Sequence, residues 1–310
     1  GANHNMAVDK YDQIWVWGHG RYGELGTGRN QNEWTAVPIA KPGSTVLTKR
    51  DGKTIAMSET IQEAIDIADS DDRIIIYPGY FEGFTVTKPN LVITSRDPNE
   101  AFTVANTVIG KAGIGITLDA SAKLIGLTVS DADQAGIKVN SCSAEIRKCV
   151  IKDSNKGIEA LNGNGADLII EGCTIENNES DGIYCDSYKP FIKSNIVSLN
   201  GNGLDESGYS ANEYGINIIN AISGGLVRNN TIVSPPTAYG FMATSSGSLP
   251  GIINSIFIGD NIFGGDVDTN VTYYNIHHSR ITGLVNETNG NKADSPRFVN
   301  FYEFSDITLA

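Results

Sequence analysis

From Ser58 onward, short apolar runs alternate with turn residues, and one amphipathic stretch leads them. In SETIQEAIDIAD, Thr60 and Glu63 have the spacing of a capping box, and Ile61, Ala64, Ile65 and Ala68 share a stripe at helical period. That pattern predicts a short helix. The runs RIIIYPG, FTV and LVIT that follow are bounded by Gly, Pro and Asn, which predicts strands. A repeat then sets in. Gly-Ile dipeptides begin at Gly115, Gly136, Gly157, Gly182 and Gly215, with Gly240-Phe241 in the same place, at spacings of 21, 21, 25, 33 and 25 residues. Each unit carries a second apolar strand, ending at Val129, Ile151, Ile175, Val197, Ile232 and Ile256. Units this short cannot close a core alone, and stacking them buries the inward residues as continuous ladders. The expected object is a β-solenoid.

Aligned on these anchors, the units show polar columns. Two residues before the second anchor stand Leu127, Cys149, Cys173, Asn195, Asn230 and Asn254; five after the glycine stand Ser141, Asn162, Ser187, Asn220 and Ser245. Stacked amides and hydroxyls of this kind satisfy polar groups from coil to coil. Cys149 and Cys173 fall in adjacent coils with parallel Cβ vectors, a geometry that disfavours a disulfide. Cys185 falls inward and Cys142 near a turn, so buried free thiols are expected, and no spacing resembles a zinc site.

Composition narrows the partners. The 310 residues carry 23 Lys and Arg against 36 Asp and Glu, a net charge of -13. Such a surface repels nucleic-acid phosphates and anionic lipids but tolerates Ca²⁺ and neutral glycans. No apolar run approaches a membrane span, so neither nucleic acid nor membrane insertion is expected. The chain opens at Gly1 without a leader, as a processed form or an excised fragment would. Sequons occur at Asn178, Asn229, Asn270 and Asn286.

Two resemblances follow from these residues. The stretch TIQEAIDIADSDDRIIIYPGYFEGFTVTKPNLVITS, the units GCTIENNESDGIYCD and LVRNNTIVSP, and the ending ADSPRFVNFYEFSDITLA resemble the secreted right-handed parallel β-helix proteins of the pectate-lyase-like superfamily. Residues 1–43, with His4, Trp17, Gly18, Gly20, Gly23, Leu25, Gly26, Gly28 and Pro38, resemble one repeat of the regulator-of-chromosome-condensation β-propeller family. The glycines of WGHGRYGELGTG then serve turns and close packing, and His19 lies outside the coils. No Gly-Lys-Ser/Thr follows, so a phosphate loop is excluded. The resemblances imply an all-β chain: a partial propeller blade over 1–43 that continues blades upstream, a linker over 44–57, a right-handed parallel β-helix with an N-terminal capping helix over 58–265, and a C-terminal tail over 266–310 packing on the coils. They also imply an extracellular or cell-surface location. Because the superfamily hosts lyases, hydrolases, epimerases, tailspikes and adhesins, activity must be argued from the site.

The outward column beside the glycines reads Lys138, Glu159, Tyr184, Asn217 and Met242, with Asn140 and Asp186 two residues further along. Tyr184 among Lys, Glu and Asp is a candidate platform on which a sugar ring stacks. Glu159 and Asp186, one coil and two residues apart, have Cα atoms expected about 8 Å apart. The 6.5–9.5 Å carboxyl separation of inverting glycosidases is thus admissible, at roughly those distances. An insertion, SLNGNGLDESGYSANEY, enters the strand beside Tyr184; its Tyr209 and Tyr214 would wall the platform, and its Asp205 and Glu206 are candidate Ca²⁺ ligands. The polygalacturonase acid motifs and the clustered Asp ligands of Ca²⁺-dependent pectate lyases are absent. DPNE at Asp97 resembles an epimerase motif but lacks its His, and His277-His278 read as polar residues of a late strand. The leading expectation is a module that binds, and in a stronger form processes, polysaccharide, with Glu159, Asp186 and Tyr184 as its catalytic candidates and Lys138, Asn140, Tyr184, Tyr209, Tyr214 and Asn217 as binding residues. The rival is a structural or adhesive cell-surface module making protein contacts through residues 1–43. A lyase using Tyr184 and Lys138 as acid and base ranks third.

Overall fold

The computed structural model describes residues 3–8, 14–26, 31–39, 46–110, 113–201, 213–235, 238–244, 251–253, 255–258 and 273–274. Between Arg73 and Tyr274 the described strands lie in three sheets, and each pairs in parallel with its counterpart one coil away. Sheet I has seven strands from Phe84–Val86 to Tyr239–Ala243, sheet II eleven ending at Tyr273–Tyr274, and sheet III eight from Gly79–Phe81 to Ile256–Ile258. Inward residues stack in the expected ladders. On sheet I, Ile116, Ile137, Ile158, Ile183, Ile216 and Phe241 line up and are fully buried. On sheet III, Val129, Ile151, Ile175, Val197 and Ile232 do the same. Burying each such side chain contributes about 1.5–3 kcal/mol.

The repeated glycines have a steric reason. A Cβ on Gly157 would lie 2.4 Å from the Gly182 carbonyl oxygen, and one on Gly182 would lie 2.6 Å from that of Gly215. Only glycine lets the strands of sheet I come this close.

The helix α1 spans Ile61–Ile67, carries the full Thr60/Glu63 capping box and buries Ile61, Ala64 and Ile65 against the first coil. A second helix, α2 (Ala101–Asn106), was not foreseen; it bridges from sheet II to sheet III within one coil. Residues 44–57, expected as a linker, contain most of a hairpin instead. Val46–Arg50 and Lys53–Ser58 pair antiparallel, and the first also pairs Arg73–Ile76, closing sheet II at its N-terminal end. Asp51 and Gly52 both take positive φ, the geometry that makes Asp-Gly a hairpin turn.

The Asn column forms in the interior. Asn195 Nδ2 donates to Asn230 Oδ1 at 3.0 Å, and Asn195 Oδ1 accepts from the Cys173 amide at 2.9 Å. Its last member differs from expectation. Ile232 pairs with Phe257, one residue beyond the expected anchor, so Ser255 occupies the ladder and its Oγ accepts from the Asn230 amide. The column of Ser141, Asn162, Ser187 and Asn220 serves the backbone: all four have φ between 52° and 62°, a left-handed turn. A further ladder, Ser154–Asn178–Asn200, went unread; Asn178 Nδ2 donates to Asn200 Oδ1 at 2.8 Å. Asn178 is fully buried, so the folded chain cannot be glycosylated there. The four cysteines are free thiols, three of them buried. Burial pushes Cys185 up to about 12 and Cys173 well above its ordinary value, which leaves them inert.

The strands His4–Val8, Ile14–Gly18 and Glu33–Ile39 form an antiparallel sheet around Val16, Leu25 and Val37. It rests on the first coils: the Trp15 ring lies 4.9 Å from that of Phe102, and Tyr80 packs against the small core. His19 meets Trp34 edge-on in this sheet, away from the coil faces.

Candidate functional site

Outward residues of sheet I stand in the expected order. Lys138 pairs with Glu159, Glu159 with Tyr184, Tyr184 with Asn217, and Asn217 with Met242. Parallel pairing places neighbours about 4.8 Å apart, so four consecutive coils present one polar row. Glu159 is clamped between Lys156, at 2.5 Å, and Lys138, at 3.7 Å. The Lys156 ammonium also sits 5.2 Å from the centroid of the half-buried Tyr184 ring, a cation–π contact. Burial, with Asp186 nearby, raises the Tyr184 phenol above its ordinary value.

The other expected residues divide. Asp186 is in the adjacent coil to Glu159 and two residues on, as the repeat implies, and its Oδ1 accepts from Ser187 Oγ at 2.8 Å and Asn220 Nδ2 at 3.0 Å. Asn140 Nδ2 donates to Asp119 Oδ1 at 2.7 Å. Two residues depart from expectation, Tyr214 of the expected wall and Asn217 of the outward column. Tyr214 is a buried strand residue, stacked on Tyr239 at 5.5 Å because both precede the close-packed glycines. Asn217 is 6% exposed rather than open, because its Nδ2 is drawn 3.2 Å from Asp181 Oδ2. Asp205, Glu206 and Tyr209 lie outside the described residues, as do His277 and His278. Among the described residues no group of three or more His, Cys, Asp or Glu is arranged to hold a metal ion.

The residue that sequence reasoning missed is Asp181. It stands immediately before Gly182 and is 6% exposed. Its Oδ1 accepts from the Tyr214 amide at 2.7 Å and its Oδ2 from Asn217. Burial outweighs both hydrogen bonds and the Lys156 charge, and pushes its carboxyl up to about 6. A signal existed. The residues one step before the glycines read Ile114, Ala135, Lys156, Asp181, Tyr214 and Tyr239, apolar at first and then a cation, an acid and two phenols.

Sheet II offers the contrasting surface. A groove of about 500 Å³ runs along it, lined by residues that include Val92, Ser121, Lys123, Ser143, Glu145 and Ile169. It does not coincide with the Tyr184 row. Its charges answer one another: Lys123 pairs with Glu145 at 2.8 Å, Arg147 bridges Glu145 and Glu171, and Lys193 pairs with Glu171 at 2.7 Å. Burial works to raise the Glu145 carboxyl, but hydrogen bonds from Lys123 and Arg147 prevail and hold it below its ordinary range.

The family model for the right-handed β-helix region matches residues 93–262. No curated protein and no solved structure matches the chain. No helix among the described residues is long and apolar enough to cross a membrane.

Proposed function

The chain belongs to the right-handed β-helix family, and from that premise we propose that it is an extracellular or cell-surface module that binds polysaccharide along the outer face of sheet I. The observation that carries this reading is the row Lys138–Glu159–Tyr184–Asn217, which holds a half-buried ring between polar groups at the coil repeat. A ring presented this way stacks on a pyranose once the flexible Lys156 arm swings aside, while the flanking groups read hydroxyls. A glycan array with and without Ca²⁺ tests it. Retention by the wild-type chain and loss in Tyr184→Ala support the reading; retention unchanged in the variant, or no retention on a broad array, defeats it.

In a stronger form the same face cleaves the chain it binds, and here Asp181 joins Glu159 and Asp186 as a carboxyl to test. Asp181 is a candidate proton donor, since burial pushes its carboxyl up to about 6. The lyase alternative loses support, because Lys138 is turned to Glu159 and the Tyr184 phenol is raised.

A second reading has its own observation. Met6, Tyr22 and Trp34, at 67%, 89% and 78% exposed, are large apolar side chains concentrated in the N-terminal sheet. They fit a protein contact made through residues 1–43, the adhesive role. Removing residues 1–43 would abolish such a contact and leave glycan retention intact.

A further inference from the structure

The row on sheet I contains an unmet demand that identifies the class of sugar. Asn217 is more than nine-tenths buried, its Nδ2 is committed to Asp181, and its Oδ1 has no hydrogen-bond partner. The orientation of the amide is not arbitrary. An ionised Asp181 accepts only, so the NH₂ must face it and the oxygen must face away. A buried acceptor without a donor is costly, and a ligand that brings an O–H recovers that cost on binding.

The surrounding charge points the same way. The cations of this row, Lys138 and Lys156, both turn to Glu159. Asp181 makes no ion pair among the described residues, and Asp186 is met by neutral donors, Ser187 and Asn220. Asp119, beside Asn140, adds another carboxylate. Two lysines thus face four carboxylates, on a chain whose net charge is -13. A carboxylated sugar placed here would meet acceptors and like charge, and among the described residues of the row both ammonium groups are already turned to Glu159.

We propose that the sheet I face selects neutral, hydroxyl-rich glycans over uronates, with Asn217 Oδ1 as the buried acceptor of a sugar hydroxyl beside the Tyr184 ring. The inference rests on the glycan-binding reading above and adds the chemical class of the ligand. Lys156 is the movable cover: its arm lies over the ring while its ammonium holds Glu159. It is not an anchor for an anionic sugar.

The test is calorimetric titration of the full chain at pH 7.5 with neutral hexasaccharides of glucose, galactose, xylose and mannose, and with hexagalacturonate and hexaguluronate. At least one neutral oligomer is expected to bind at least about tenfold more tightly than either uronate. That preference should survive Lys156→Ala, while Asn217→Leu, which removes the acceptor, should weaken the neutral ligand by about tenfold. The comparison of ligands on the wild-type chain stands even if Asn217→Leu fails to fold. Tighter binding of a uronate, lost in both Tyr184→Ala and Lys156→Ala, would overturn the selectivity while leaving sheet I as the binding face. Neutral binding that persists in Tyr184→Ala would place the ligand elsewhere and overturn both.

Discussion

Sheets I and II are built from the same coils, in the same register, yet they treat charge in opposite ways. On sheet II four consecutive coils answer one another, with Lys123, Glu145, Arg147, Glu171 and Lys193 alternating in sign, until Arg228 falls beside Lys193 in the next coil. On sheet I the alternation stops at Asp181, a buried carboxyl without an ion pair among the described residues, and at Asn217, a buried amide with an idle oxygen. A solenoid offers the same chance of coil-to-coil pairing on every face, so sequence alone decides where pairing is complete. The paired stretch of sheet II stabilises the stack and leaves little of its charge free for a ligand, even though it carries the 500 Å³ groove. The incomplete face retains an acid and an acceptor that a partner can satisfy.

Four perturbations separate the two faces, and the glycine column should give the largest effect. Gly157→Ala would set a Cβ 2.4 Å from a backbone oxygen of the neighbouring strand, and should destabilise the chain by about 3 kcal/mol in denaturant unfolding. Gly172, in a turn leading out of sheet II, has φ +64° and nothing nearer than 3.9 Å. Its replacement by Ala should cost only about 1–2 kcal/mol, the backbone penalty.

Asp181→Asn comes next, and its sign is opposite. The folded carboxyl titrates at about 6 against an ordinary 3.8, so the fold disfavours its charged form. That group's favourable contribution is present below pH 4 and is lost as pH rises through 6. The variant should therefore be more stable than the parent at pH 8, by up to about 3 kcal/mol, with the difference closing by pH 4. Thermal unfolding at several pH values reads this directly.

Tyr184→Ala should weaken glycan binding by about 2 kcal/mol, or roughly 30-fold, with little change in unfolding midpoint. Phe191→Ala, in the corresponding coil of sheet II, should leave binding unchanged. The smallest effect is expected from Arg147→Ala, whose partly exposed ion pairs should contribute less than about 1 kcal/mol and fade at high salt.

Much of this was legible in the sequence because a solenoid writes its periodicity openly. The Gly-Ile repeat, the inward Ile ladders, the capping box of α1 and the outward row of Lys138, Glu159, Tyr184 and Asn217 were each visible as columns. Three failures have identifiable causes. The Asp51-Gly52 hairpin was passed over because its strands precede the repeat and pair antiparallel, outside the coil period. α2 was missed because six residues, AFTVAN, are too few to show helical period and are held by their place in the coil. The last ladder residue is Ser255 rather than Asn254 because Ile232 pairs with Phe257, and the uninterrupted apolar run of residues 256–258 hides that one-residue shift. Asp181 was overlooked for a subtler reason. Its importance comes from burial beside Tyr214 and Asn217, residues 33 and 36 positions later, which the sequence brings together only once the 17-residue connection between Val197 and Gly215 has been closed.

The face that carries the ligand can be located by hydrogen exchange on the full chain, with and without a neutral oligosaccharide at saturating concentration. The account predicts slowed exchange at residues 181–186 and 214–219, with 143–147 and 167–171 unchanged. Protection centred on 143–147 and 167–171, along the groove of sheet II, would contradict it.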